Sequence, residues 1–98
     1  MVIFVPVQQV RVGVIKPNYA HLGDSGMDVF STESFELQPM ERRLVPCGFC
    51  VDIPRGFELQ VRPKSGRALK EGLTVLNTPG TIDAGYHDEV GVLLINLG

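Results

Sequence analysis

Phe57-Glu58-Leu59-Gln60-Val61-Arg62 alternates apolar and polar side chains without a break, and Pro63 follows at once. Successive side chains of an extended chain point to opposite faces, so the run predicts a strand with one buried and one wet face. Pro63 ends it, because proline has no N–H for a ladder. Working outward, β-rich runs recur at Val10 to Ile15, Arg42 to Ile53 and Val90 to Ile95. Each is followed by turn-formers: Lys16-Pro17-Asn18, Pro54-Arg55-Gly56 and Asn96-Leu97-Gly98. The apolar start, Met1 to Val7, has no basic segment or small-residue cleavage site and reads as a first strand. One helix of about two turns is predicted over Gly66 to Glu71, with Ser65 as its N-cap and Gly72 as its stop. Seven prolines and eleven glycines exclude long helices. The fold class is therefore all-β, a compact sandwich or barrel with one short helix, in a single domain over residues 1 to 98.

A chain of 98 residues leaves much of its surface unburied, which makes association with further copies an expectation. The net charge of -2 comes without any block of Lys or Arg, so no duplex nucleic acid and no membrane surface is expected as a partner. No apolar run approaches the roughly 18 residues needed to cross a bilayer, and a cytoplasmic location is expected. Cys47 and Cys50 form one C-x-x-C without a second Cys pair or a nearby His, too few ligands for a structural zinc. In an extended segment, positions three apart face opposite ways, so both read as buried or half-buried free thiols.

Three further stretches have residue types suited to chemistry. Gly23-Asp24-Ser25-Gly26-Met27-Asp28 sets two carboxylates four apart across a glycine turn. Its ordinary reading is an Asx-turn; its functional reading is a carboxylate holding a hydrated Mg²⁺, which keeps several of its own waters. Lys64-Ser65-Gly66-Arg67 opens the helix with unpaired N–H groups flanked by two cations, as phosphate would require and as an ordinary capped turn also allows. Asn77-Thr78-Pro79-Gly80-Thr81-Ile82-Asp83-Ala84-Gly85-Tyr86 places one carboxylate and one aromatic ring among turn-formers. A hairpin here brings main-chain donors and acceptors against a flat ligand, with Asp83 as a fixed base and Tyr86 as a wall; its plain reading is a loop between two strands. His21 and His87 read as surface residues.

Taken in this order and spacing, the three stretches resemble the first three motifs of the trimeric deoxyuridine triphosphatases (dUTPases). Leu44-Val45-Pro46-Cys47-Gly48, Ile53-Pro54-Arg55-Gly56 and Gln60-Val61-Arg62-Pro63 are similar to the same family, so the resemblance runs from about Pro17 to Gly98. It implies a distorted β-barrel or jelly-roll, a homotrimer with active sites shared between subunits, and Mg²⁺-assisted hydrolysis of dUTP to dUMP and pyrophosphate. That activity limits uracil incorporation into DNA and supplies dUMP for thymidylate synthesis. By the same resemblance Asp83 orients and deprotonates the attacking water, and Asp28 holds the metal through water. Lys64, Ser65 and Gly66 bind phosphate. Asn77, with Gly80 and Thr81 in the turn that follows, frames uracil, and Tyr86 packs beneath the deoxyribose and excludes a 2′-hydroxyl.

The chain departs from the family pattern at several points. Lys64 stands where many members carry Arg, Arg67 replaces an aliphatic residue, and His87-Asp88 replaces Arg-Gly. A fourth motif and a Gly-rich arm carrying Phe, expected beyond Asn96-Leu97-Gly98, are absent, so the domain is expected to be C-terminally incomplete. Two rival readings share the fold. A dCTP deaminase needs a glutamate ten residues after the aspartate, where this chain has Leu93. The other is a nucleotide- or protein-binding module without turnover, which the missing C-terminal motifs favour; against it stands the retention of Asp28, Ser65, Asn77, Asp83 and Tyr86, a constellation for which a pure scaffold has no need.

Overall fold

The computed structural model describes residues 2–98. Seven short strands and one helix follow in the order β1 (Val7–Gln9), β2 (Arg42–Pro46), β3 (Phe49–Val51), β4 (Glu58–Val61), α1 (Ser65–Glu71), β5 (Leu73–Val75), β6 (Gly80–Asp83) and β7 (Gly91–Asn96). All pairs are antiparallel: β1 with β3, β7 between β2 and β5, and β4 with β6. The chain is mostly β with one short helix, as its sequence implies. Its three small sheets do not close into a barrel among the described residues.

Cys47, Phe49, Val51, Ile53, Val75, Val90 and Val92 form the buried cluster, with Leu59, Val61 and Ile82 packed against it. Fully burying a side chain of this kind is worth roughly 1.5–3 kcal/mol, so this small cluster carries most of the fold's cohesion. Among the described residues no polar or charged side chain is buried, so apart from the Cys47 thiol the groups able to do chemistry are at least partly exposed. The β4–β6 ribbon shows how alternation sets that surface. Leu59 opposes Ile82 and Val61 opposes Gly80 on the inner face, while Gln60 opposes Thr81 and Glu58 opposes Asp83 on the outer one.

Several expectations need correction. The run from Arg42 to Ile53 is not one strand but two, in different sheets, because Gly48 adopts φ 79° between them. Val10 to Ile15 forms no strand: after Val10 donates to the Gly48 carbonyl, the chain turns at Gly13, with φ 76°. The first strand is confined to Val7–Gln9. Met1 lies outside the described residues, and Val2 and Phe4 stand exposed with no partner strand. Ser65 is the first residue of α1, not its cap. Lys64 is the N-cap, extended at φ -88° and ψ 121°, with no side-chain capping bond. The first helical bond, from Ala68 N–H to the Lys64 carbonyl, sets this boundary one residue earlier than capping chemistry suggests. At the other end Gly72 stops the helix as expected, in the left-handed conformation at φ 69°.

Candidate active site

The β4–β6 ribbon carries Gly80, Thr81 and Asp83, and the segments that enter and leave it carry Lys64, Ser65, Gly66, Asn77 and Tyr86. β4 runs out through Arg62 and Pro63 into Lys64 and α1, and its last residue, Val61, lies opposite Gly80. The loop Leu76–Pro79 enters β6 at that same end. It is not the hairpin expected from sequence, since β5 pairs with β7 and β6 with β4, so the loop passes from one sheet to another. The amide of Thr78 donates to the Val75 carbonyl at 3.1 Å, and the Thr78–Pro79 peptide is cis. The Asn77 side chain lies over Gly80, where an added Cβ would stand 3.4 Å from its Nδ2. The amide of Asn77 thus lies within van der Waals reach of the start of β6.

Three residues further along β6, about 10 Å at the rise of an extended chain, Asp83 ends the strand on its outer face beside Thr81, both exposed. The Tyr86 amide donates to the Asp83 carbonyl at 3.0 Å, so a turn over Asp83 to Tyr86 ties carboxylate and ring together. The Tyr86 hydroxyl donates to the Glu89 carbonyl at 2.8 Å, which holds the partly exposed ring by its far end. Sequence reasoning passed over Glu58, which faces Asp83 across the ribbon and accepts from Gln60 Nε2 at 3.1 Å. A polar residue on the wet face of an alternating strand gives no signal of what will stand opposite.

The remaining predicted residues form a second group. Asp28 exchanges two backbone hydrogen bonds with Asn18 and accepts from Lys64 Nζ at 2.8 Å. Its side chain is 30% exposed and that of Lys64 66%, so the pair stands at the solvent boundary. The other cation flanking the Ser65-Gly66 turn, Arg67, reaches along the helix to Glu71 at 2.9 Å. Both cations are thus paired within the chain. Asp24 has a local task, accepting from the His21 amide three residues back at 2.9 Å, which is not the Asx-turn expected from sequence, whose carboxylate would accept from an amide two residues on. A groove of about 530 Å³ opens beside α1, floored by core residues such as Cys47 and Val75. Of the predicted residues only Lys64 borders it, and Asn77, Asp83 and Tyr86 lie outside.

Cys47 is buried and Cys50 half-buried, both free as expected, although the turn at Gly48 and not one continuous strand separates them. Burial pushes the Cys47 thiol up to about 11, with the Glu89 charge adding to the effect, so it stays neutral at pH 7. No group of three or more His, Cys, Asp or Glu suited to holding a metal directly occurs among the described residues.

With this geometry in view, comparison with known proteins is decisive: the dUTPase family profile matches residues 13–98. The chain belongs to the dUTPase family. It is 54% identical over 92 residues to the deoxyuridine 5'-triphosphate nucleotidohydrolase of Clostridium novyi, covering 94% of this chain and 65% of that protein. The corresponding figures for the enzyme of the same name from Clostridium kluyveri are 51%, 94% and 64%. The chain therefore spans somewhat under two thirds of the length of these dUTPases. Among solved structures it is similar to a mutant dUTPase of phage phi11 of S. aureus, described for its coordination of a structural Mg(II) ion. The TM-score is 0.88 and the identity 31%, over 96% of this chain and 60% of that one.

Proposed function

We propose that this chain supplies the dUTP-binding and water-activating part of a dUTP diphosphatase, which cleaves dUTP to dUMP and pyrophosphate. The observation that carries this reading is the placement of Asp83. It is an exposed carboxylate at the end of β6, with the Asn77–Gly80 turn on one side and Tyr86 bonded back to it on the other. Asn77 and the backbone of Gly80 and Thr81 frame uracil, and the Tyr86 ring bars a 2′-hydroxyl. Asp83 holds a water against the α-phosphorus. The water oxygen bonds to phosphorus, its proton passes to Asp83, and the bond to the bridging oxygen breaks to release pyrophosphate.

Ser65 and Gly66 offer a hydroxyl and unpaired N–H groups to the triphosphate, and Lys64 adds charge without the bidentate fork of an arginine. The donor set fits Mg²⁺ held through water. Asp28 is a single, partly exposed carboxylate with one oxygen engaged by Lys64, which suits a hydrated ion arriving with the triphosphate and not a direct cage. When bound, Mg²⁺ neutralises charge on the departing pyrophosphate. Lys64 must then exchange Asp28 for phosphate.

The same geometry supports a homotrimer with shared sites. The Asp28–Lys64 pair stands near the Gly80 end of the ribbon, since Lys64 follows Val61 opposite Gly80, while Asp83 stands at the other end; sites assembled from more than one copy would bring such separated groups together. Large apolar side chains left open, among them Phe4 at 81%, Leu22 at 107% and Leu69 at 86%, give such copies a surface to share. Deamination finds no support, since Leu93 lies in β7 opposite Leu44 and cannot carry a proton.

Asp83→Asn tests the reading. Pyrophosphate release from dUTP with Mg²⁺ is expected to fall about 10²-fold or more while nucleotide binding survives. Turnover unchanged by the substitution removes Asp83 from the mechanism.

A further inference from the structure

The sequence singled out neither Arg11 nor Glu89, yet their side chains meet across 78 positions of chain. Arg11 Nε and Nη2 donate to the two carboxylate oxygens of Glu89 at 2.6 and 2.8 Å, the two-pronged geometry that only a guanidinium provides. One of those oxygens also accepts from the Gly48 amide at 2.9 Å. Gly48 is itself fixed: its carbonyl accepts from Val10 N–H at 2.9 Å, and a Cβ built on it would stand 2.3 Å from a Val14 methyl. The segment Val10–Val14 is therefore stapled over the Gly48 turn, with Arg11 aimed at Glu89.

Glu89 is where this cluster meets the proposed site. The peptide joining Glu89 to Val90 is planar, so its N–H and C=O point in opposite directions. Its N–H donates to the Phe49 carbonyl at 2.8 Å, and its carbonyl accepts from the Tyr86 hydroxyl at 2.8 Å. One rigid plane thus ties Tyr86 to the β3 side of the core, while the Glu89 side chain ties it to Arg11 and Gly48. Resting on the reading of Tyr86 as the wall beneath the sugar, we infer that Arg11, Glu89 and the Gly48 amide form a latch that fixes the Tyr86 ring and so sets discrimination between deoxyribo- and ribonucleotides. Arg11 and Glu89 are positioning residues; they act through Tyr86 and touch no substrate.

Two measurements decide the latch. The chain has two tyrosines, so in a Tyr19→Phe background with selectively labelled tyrosine the labelled ring resonances in an NMR spectrum belong to Tyr86 alone. Arg11→Met and Glu89→Gln are each expected to shift them, and Arg11→Lys, which keeps the charge, to restore them in part. In an Asp83→Asn background with Mg²⁺, which prevents turnover during titration, the two variants are expected to lower the ratio of UTP to dUTP dissociation constants about tenfold. A merely structural role would weaken both nucleotides together and leave the ratio alone. Tyr86 resonances unmoved in both variants, or a ratio that stays constant, overturns the latch. If the resonances move but the unmodified chain binds neither nucleotide, the latch on Tyr86 stands and it is the dUTP reading that fails.

Discussion

Up to Glu41 the described chain buries no residue and forms one three-residue strand, whereas from Arg42 onward it contributes six strands, the helix and every core side chain. The second region is held by apolar burial along consecutive strands. The first is tacked to it by long-range polar contacts: Thr32 to the Pro46 carbonyl, Arg43 to Glu33, Asp28 to Lys64 and Arg11 to Glu89. Exposed ion pairs of this kind contribute at most about 1 kcal/mol each. What the first region adds is placement. It supplies the carboxylate proposed to meet the metal and the guanidinium proposed to fix Tyr86, while the second region supplies the loop proposed to read the base and Asp83.

The widest contrast between the regions should appear in stability. Phe49→Ala, which empties a core position only 2% exposed, is expected to cost about 3–5 kcal/mol in denaturant titration. Val12→Ala, at a fully exposed residue of the tacked region, is expected to stay within about 0.5 kcal/mol. Equal losses at the two positions would abolish the distinction.

A middle-sized effect should arise where the regions touch. Gly48→Ala forces a Cβ against Val14 and Thr32 at a backbone φ of 79°, and overpacking of this kind costs about 1–3 kcal/mol. Adding Val14→Ala should relieve the steric part and leave the backbone part. A double variant as unstable as Gly48→Ala alone would show that the first region yields without resistance.

The smallest effect is a pH dependence. The Arg11 hydrogen bond holds the Glu89 carboxyl below its ordinary 4.5 against the opposing push of burial, helped by the Gly48 amide and the Arg11 charge. A carboxylate lowered in the folded state contributes stability that is fully present above its unfolded value and is lost as pH falls through the folded one. The difference in melting temperature between wild type and Glu89→Gln should therefore be constant near neutrality and shrink below about pH 4.5. A difference that persists undiminished in acid would mean that Glu89 acts through shape and not charge.

Legibility divides along the same line. Phe57 to Arg62 and Val90 to Ile95 could be read as strands, and Gly72 as a helix stop, because each signal is local: alternation, a β-branched run, a residue tolerant of left-handed backbone. Val10 to Ile15 has equally β-prone residues, yet no partner strand reaches it, and propensity cannot supply one. The run from Arg42 to Ile53 hid its break because Gly48 reads as an ordinary glycine until Val14 and Thr32 are seen against it. Glu89 and Glu58 gave no signal, since each matters only through residues far along the chain.

By itself the sequence determined a mostly β chain with one short helix and the family to which it belongs, and it nominated the residues proposed for a dUTP site, since residue types and their order are local properties. The tertiary structure alone decided that Asp28 sits on Lys64, that Asp83 and Tyr86 are joined at the far end of the β4–β6 ribbon, and that Arg11 reaches Glu89. The Asp28–Lys64 and Arg11–Glu89 contacts depend on bringing distant segments to within a hydrogen bond of one another, and the place of the local Asp83–Tyr86 turn depends on the pairing of β4 with β6; these are fixed by how the core packs, not by any spacing along the chain.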